Sequence, residues 1–276
     1  MKKKPTKMPE PKLLAIVSDL HCGSVVGLAP PDFKTHTGNV VGFGDNLHQA
    51  WLWDRWITMV KAVGDLAAGD PMALLINGDA TEGVHHRNES ELVAAKIETH
   101  IQMTQTCLKP LLAYCATRLV VAGTECHTRD METLLAERIG AVTSKAKDKW
   151  LFEINGCLID AAHHMTTTGR AYLEASAMSI LMGNARLNYL RAGHRVPKVF
   201  CRAHRHCGGH FSDGQGLFAV TGAFQMLTRH GFKVVTDSIP RPTILVLDWR
   251  TKNHGELPVV HEIIANPPQD EITKIH

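Results

Sequence analysis

The chain has 276 residues, 44% hydrophobic and 21% charged, with 30 Lys and Arg against 27 Asp and Glu for a formal charge of +3. That composition excludes a disordered or fibrous chain, and no apolar run is long enough to cross a membrane. A charge this small, spread over the whole length, makes no electrostatic case for nucleic acid.

Met1 to Lys12 is rich in Lys and Pro and has no apolar core. It reads as a flexible basic arm over residues 1–11 rather than a signal peptide. Leu13–Ser18 is short, apolar and β-branched, the pattern of a buried parallel strand, and it ends in Asp19-Leu20-His21-Cys22-Gly23. Gly23 to Leu47 is nonperiodic and rich in Gly and Pro, so it reads as a long surface loop, a kind that usually carries function. Trp51 to Leu66 has helical spacing, and its Trp51, Trp53 and Trp56 are expected to pack the helix. Met72–Ile76 is a second buried strand, ending in Asn77-Gly78-Asp79. Glu89 to Tyr114 predicts a long helix interrupted by Pro110. Arg118–Ala122 predicts a third strand, ending in Gly123-Thr124-Glu125-Cys126-His127. Met131 to Ile139 is helical.

Leu151–Ile154 and Leu158–Ala162 flank Asn155-Gly156, a strong hairpin signal, and the second run ends in His163-His164. Ala171 to Leu190 predicts a helix. Lys198–Arg202 predicts a strand ending in Ala203-His204-Arg205-His206. Short strands follow at His210–Ser212, Leu217–Val220, Ile244–Asp248 and Val259–Ile263. No repeat or linker divides the chain. The expectation is one domain over residues 12–265 and a tail over 266–276, built as an α/β sandwich with mixed sheets.

Two counts bear on chemistry. There are 17 His, against 8 Phe, 5 Trp and 3 Tyr. Imidazole is the commonest metal ligand and the usual acid or base near neutral pH, so the excess raises the odds of a metal site. The 7 Cys are scattered without a CxxC pair and read as reduced thiols of a cytoplasmic protein.

The ends of the strands carry the candidate site. In α/β folds ligands bind at the carboxyl ends of strands. Asp19 and His21 sit two residues apart on an extended segment, so both side chains can reach one ion. Gly78 allows a sharp turn, and the Asp79 carboxylate has two oxygens with which to bridge two cations. His204 and His206 repeat the two-residue spacing. His163 and His164 are adjacent and point to opposite faces of a strand, so one of them is the expected ligand. Each pair alone is weak; the order of all of them, each after an apolar run, is a strong signal.

Together these pieces resemble the calcineurin-like metallophosphoesterase family, whose pattern runs D-x-H, G-D, G-N-H-D/E, H, G-H-x-H. The resemblance covers roughly residues 12 to 250. It implies a four-layer αββα sandwich of two mixed β-sheets flanked by helices, with a two-metal centre at one edge. Carried over, Asp19, His21 and His206 would hold the first metal and Asp79 would bridge. His204 and His163 would hold the second, with His164 beside them or facing substrate. At the third motif the family's Asn is missing. Glu125 is then the expected substitute ligand, and His127, two residues late, the acid that protonates the leaving group. This Gly-Thr-Glu-x-His variant also resembles phosphoesterases carried by phages and prophages. His85 and His86, in the loop after Asp79, are placed to meet a substrate phosphate.

The implied function is a metal-dependent phosphodiesterase that uses a hydroxide bridging two ions. Alternatives are a phosphomonoesterase of the same fold, acting on a protein, nucleotide or sugar phosphate, and a degenerate binding scaffold. The donor mixture suits two divalent transition-metal ions, Mn²⁺ first, with Fe, Ni or Zn as alternatives. The expected partner is a phosphate-ester substrate, a nucleotide or nucleic acid among the options, with no membrane partner.

Overall fold

The computed structural model describes residues 10–35, 38–41, 46–85, 88–125, 129–165, 173–229, 231 and 239–267. In chain order the elements are β1 (Leu13–Val17), β2 (Phe33–Lys34), β3 (Val40–Val41), α1 (Leu47–Ala67), β4 (Met72–Asn77), α2 (Ile97–Leu112), β5 (Cys115–Val121), α3 (Arg129–Arg138), β6 (Lys149–Ile154), β7 (Cys157–Ala162), α4 (Glu174–Arg191), β8 (Val199–Arg202), β9 (Gly209–Ser212), β10 (Leu217–Val220), β11 (Thr243–Asp248) and β12 (Val259–Ile264). A short 3-10 turn spans Glu89–Glu91.

Alternation within β1 shows how the layers arise. Successive side chains of a strand face opposite ways. Leu13, Ala15 and Val17 join a core with Trp56, Val60 and Val63 of α1 and Met103, Cys107 and Leu111 of α2. Leu14 and Ile16 face the other way, toward Trp150, Ile159, Val199 and Leu217 of the second sheet. Both faces are covered, so the strand is apolar throughout and buried at every position.

The first five-stranded sheet runs β12-β11-β1-β4-β5 and the second β6-β7-β8-β10-β9. Both are mixed. β1, β4 and β5 are parallel, while β11 and β12 pair antiparallel. In the second sheet β7, β8 and β10 are parallel, with β6 and β9 antiparallel at the edges. Helices α1, α2 and α3 cover the outer face of the first sheet. Helix α4 covers the second, packing Met178 and Met182 on Phe200 and Phe218. This is the four-layer α/β sandwich expected from the sequence, and it brings the carboxyl ends of β1, β4, β5, β7 and β8 to one rim.

Several expectations change, among them the starts of α1, four residues before Trp51, and of β5, three before Arg118. The segment from Gly23 to Leu47 is not wholly irregular, because β2 and β3 pair Phe33 with Val41 and Lys34 with Val40. The helix expected from Glu89 begins only at Ile97. Residues 91–93 are drawn off by tertiary backbone bonds: Val25 N–H donates to Glu91 O at 2.8 Å and Val93 N–H to Gly23 O at 2.8 Å. Pro110 lies in the last turn of α2 without ending it, where a missing N–H costs one bond rather than a break. Trp56 is fully buried and donates from its indole to Cys107 O at 2.8 Å, and Trp51 and Trp53 pack against the same core. All of the described cysteines carry free thiols; Cys126 lies outside the described residues.

Candidate metal centre

The loops after the parallel strands continue the pairing of the strands themselves. Asp19 N–H donates to Gly78 O (3.0 Å), His21 N–H to Asp79 O (3.1 Å) and Cys22 N–H to Ala80 O (3.1 Å). Ala203 N–H donates to His163 O (2.8 Å) within the second sheet, and Phe224 N–H donates to Asp19 O (2.9 Å), tying the rims of the two sheets together. Within this frame Asp19, His21, Asp79, His204 and His206 all take positive φ, between 46° and 74°. Side chains other than glycine rarely adopt that region, and strain of this kind gathers at functional sites. Gly78, with φ of 84°, and Gly123 keep the space clear: a Cβ on Gly78 would lie 2.4 Å from His163 Nδ1, and one on Gly123 2.0 Å from Asp79 Oδ1.

Three groups of side chains converge as a metal site requires: Asp19, His21 and His206; Asp19, Asp79 and His163; and His163, His164 and His204. Asp19 and His163 each belong to two of the groups, so the three are contiguous. The hydrogen bonds behind two of the imidazoles fix their tautomers. His21 Nδ1 lies 2.7 Å from the Glu82 carboxylate, and His163 Nδ1 lies 2.7 Å from Asn77 O. A carbonyl accepts only, so His163 donates from Nδ1 to Asn77 O, and its Nε2, 2.9 Å from Asp79 Oδ2, is the atom left to carry a second proton or to face a cation. An outer partner of this kind is the usual accompaniment of a ligating histidine.

The donor set fits a cation. Asp19 Oδ1 is buried and without a hydrogen-bond partner. Around it stand three Nε2 atoms, of His206 at 3.5 Å, His21 at 3.9 Å and His163 at 4.0 Å. His21 and His206 face each other nitrogen to nitrogen at 3.3 Å. An orphaned buried carboxylate oxygen ringed by ring nitrogens is the arrangement that an ion would complete.

The electrostatics agree. Burial opposes ionisation of Asp19, but His206 and the charge of His163 outweigh it and hold the carboxyl below its ordinary range. Burial would lower His21, yet the Glu82 hydrogen bond and the surrounding carboxylates push it up to about 9. His163 likewise rises to about 9 against burial, through Asp79 and Asp19. Positive charge is wanted at both nitrogens. His204 moves the other way, lowered by burial and by His163 and His164.

Some functional neighbours are not evident from the sequence. Glu82 is buried; besides facing His21, it lies 3.1 Å from His85 Nε2 and accepts from Asn88 (3.1 Å) and Gln225 (3.2 Å). Glu132, buried on α3, accepts from the backbone of Asp79 (2.8 Å) and Gly123 (2.9 Å) and so clamps two site loops together. Burial and the charge of Asp79 push it up to about 8. Thr124 turns inward: its hydroxyl donates to Asp79 Oδ2 at 2.8 Å and lies 3.2 Å from His204 Nδ1.

Glu125 is exposed and belongs to none of the three groups, though its charge is felt by His164. His85 stands behind Glu82 rather than among the converging groups. His86 and His127 lie outside the described residues.

No family model matches the chain, and no curated protein matches it. Among solved structures, an archaeal phosphodiesterase is similar at 11% identity, covering 92% of this chain and 99% of its own, with a TM-score of 0.43. Vps29 from Entamoeba histolytica, complexed with zinc, matches at 12% identity over 92% of this chain and 98% of its own, TM-score 0.43. The phosphoesterase YfcE from E. coli matches at 11% over 86% and 88%, TM-score 0.40. Likeness this distant says nothing about a shared site, and the functional reading rests on the side chains above.

Proposed function

We propose that the chain is a metal-dependent phosphoesterase, a phosphodiesterase by preference, with a dinuclear centre at the shared rim of its sheets. The observation that carries the reading is the orphaned Asp19 carboxylate oxygen, ringed by the Nε2 atoms of His21, His163 and His206. Asp19, His21 and His206 would hold one ion and His163 and His204 the other, with Asp79 between them. Two divalent ions there would supply Lewis-acid activation of a phosphoryl group and of water. Mn²⁺ heads the candidates by donor type, followed by Fe, Ni and Zn.

The chain's own residues do the rest. Glu82 and Asn77 O orient the imidazoles of His21 and His163, while Thr124 and Glu132 fix the Asp79 carboxylate and backbone. His164 is exposed beside His204, ring centroids 4.6 Å apart, and lines an adjoining cavity. His127 remains the proposed leaving-group acid and Glu125 the proposed additional ligand. The cavity beside His164 leaves room for one ester group, which either ester class supplies, so the diester preference rests on the paired substrates of the test.

The test is a metal-stripped preparation reloaded with Mn²⁺ and offered bis-p-nitrophenyl phosphate and p-nitrophenyl phosphate. Turnover of the first, with Asp79→Asn lowering both metal content and rate, is expected. Turnover of p-nitrophenyl phosphate alone would make the protein a monoesterase. A preparation that binds no metal and turns over neither would leave a scaffold.

A further inference from the structure

The cavity that opens at His164 has a volume of about 390 Å³, at the small end of ligand sites and suited to one compact group. It runs away from the metal centre between α4 and the second sheet. His164 joins the two, because its ring stands 5.0 Å from His163 and 4.6 Å from His204. A phosphate held at the centre would direct one ester group into this cavity.

Its lining has a definite chemistry. Met165 and Phe218, both buried, and the half-buried Leu181 give apolar walls. Asn184 and Asn188 stand one helical turn apart on the same side of α4. Their side-chain amides are exposed, and neither hydrogen-bonds to another described residue. Arg202 supplies a cation, its guanidinium 5.9 Å from the ring centres of both Phe200 and Phe218. It is held by Asp160, which lies 3.0 Å away and also pairs with Lys149 at 2.6 Å, so two cations share one carboxylate. No acidic side chain lines the cavity among the described residues.

Each simple kind of ester group leaves part of this lining unanswered. A sugar alone could bond to the two amides but would offer no apolar face to Phe218, Met165 and Leu181. A phenyl or alkyl group would bury against those walls but make no use of the two amides at the cavity edge or of the Arg202 plane, which Asp160 holds in place. A planar heterocycle with apolar faces and an edge of donors and acceptors answers both. Asparagine amides pair with such edges, and arginine planes and aromatic rings stack on such faces.

We infer that this cavity is a nucleoside subsite, and that the phosphoester hydrolysed at the adjoining centre is a nucleotide ester whose base lies between α4 and the second sheet. The inference rests on the phosphoesterase reading for its reaction, though not for its binding. Two measurements test it.

The first is the ratio of kcat/KM for the p-nitrophenyl ester of thymidine 5′-phosphate to that for bis-p-nitrophenyl phosphate, on the Mn²⁺-loaded protein. The ratio should favour the nucleotide and fall at least tenfold in Asn184→Leu and Asn188→Leu. Both positions are exposed, so the variants should fold. The second is saturation-transfer NMR of thymidine on the metal-stripped protein, with methyl riboside as control. Thymidine base protons should receive saturation, the riboside should not, and both variants should lose the signal.

An unchanged ratio, or riboside binding as well as thymidine does, overturns the subsite. Thymidine binding that depends on Asn184 and Asn188, without turnover of either ester, supports the subsite and overturns the hydrolase.

Discussion

Glu82 is the residue on which the centre leans without offering it a ligand. Its carboxylate sets the tautomer of His21 and raises that ring's affinity for positive charge. Outer partners of this kind typically carry ~10–100-fold in metal affinity. Glu82→Gln should therefore weaken metal binding by about that factor, read by competition with a chelating dye, while the fold survives. Full affinity in the variant would remove Glu82 from the positioning role.

The sequence made Asp19, His21, Asp79, His163, His204 and His206 legible because each follows an apolar run and stands where a strand turns. Glu82, Thr124 and Glu132 were not, and for a physical reason. Their work depends on how turns fold back: Glu132 lies nine residues after Gly123 and reads in isolation as an ordinary acid in the first turn of a helix. Thr124 is a neutral hydroxyl, a type that the family pattern does not place at that position.

At the scale of elements, β1, β4, β8, β10 and β11 were legible to within a residue at each end, since burial on both faces leaves a continuous apolar run between polar turns, whereas β5 and β6 begin three and two residues early and β2 and β3 carry no such run. The start of α2 was not, because Gly23 and Val25 bond to the segment before it and no local signal marks that. The turn after β5 makes the tightest demand. Gly123→Ala would press a Cβ to within 2.4 Å of the Asp79 backbone nitrogen and 2.7 Å of Glu132 Oε1. The loop must move, and Asp79 with it. A lower melting temperature and loss of metal together are expected, by calorimetry and elemental analysis on one preparation. Unaltered metal content would show the turn to be more forgiving than its packing suggests.

For the whole molecule, the second sheet and its helix are joined by a buried charge. Asp160 is almost wholly enclosed, and it holds Arg202, Lys149 and the Tyr189 hydroxyl at once. Asp160→Ala strands the largely buried Arg202 cation and should cost ~3–5 kcal/mol. Lys149 is half exposed, so Lys149→Ala should cost under about 1 kcal/mol, its ion pair being screened by water. Urea unfolding separates the two; equal losses would mean that the carboxylate serves both cations alike.

The left-handed backbone at His204 and His206 has a cost that no contact map displays. Glycine enters that conformation freely, whereas an L side chain pays roughly 1–2 kcal/mol for it. Replacing either imidazole with glycine should give a chain more heat-resistant than the matching alanine variant by about that amount, and a melt of the two stripped of metal would show it; alanine equal to glycine would mean the torsions are unstrained. Durability and the grip on a cation thus pull the same two positions in opposite directions, and a lineage relieved of its chemistry would be free to drift toward glycine there.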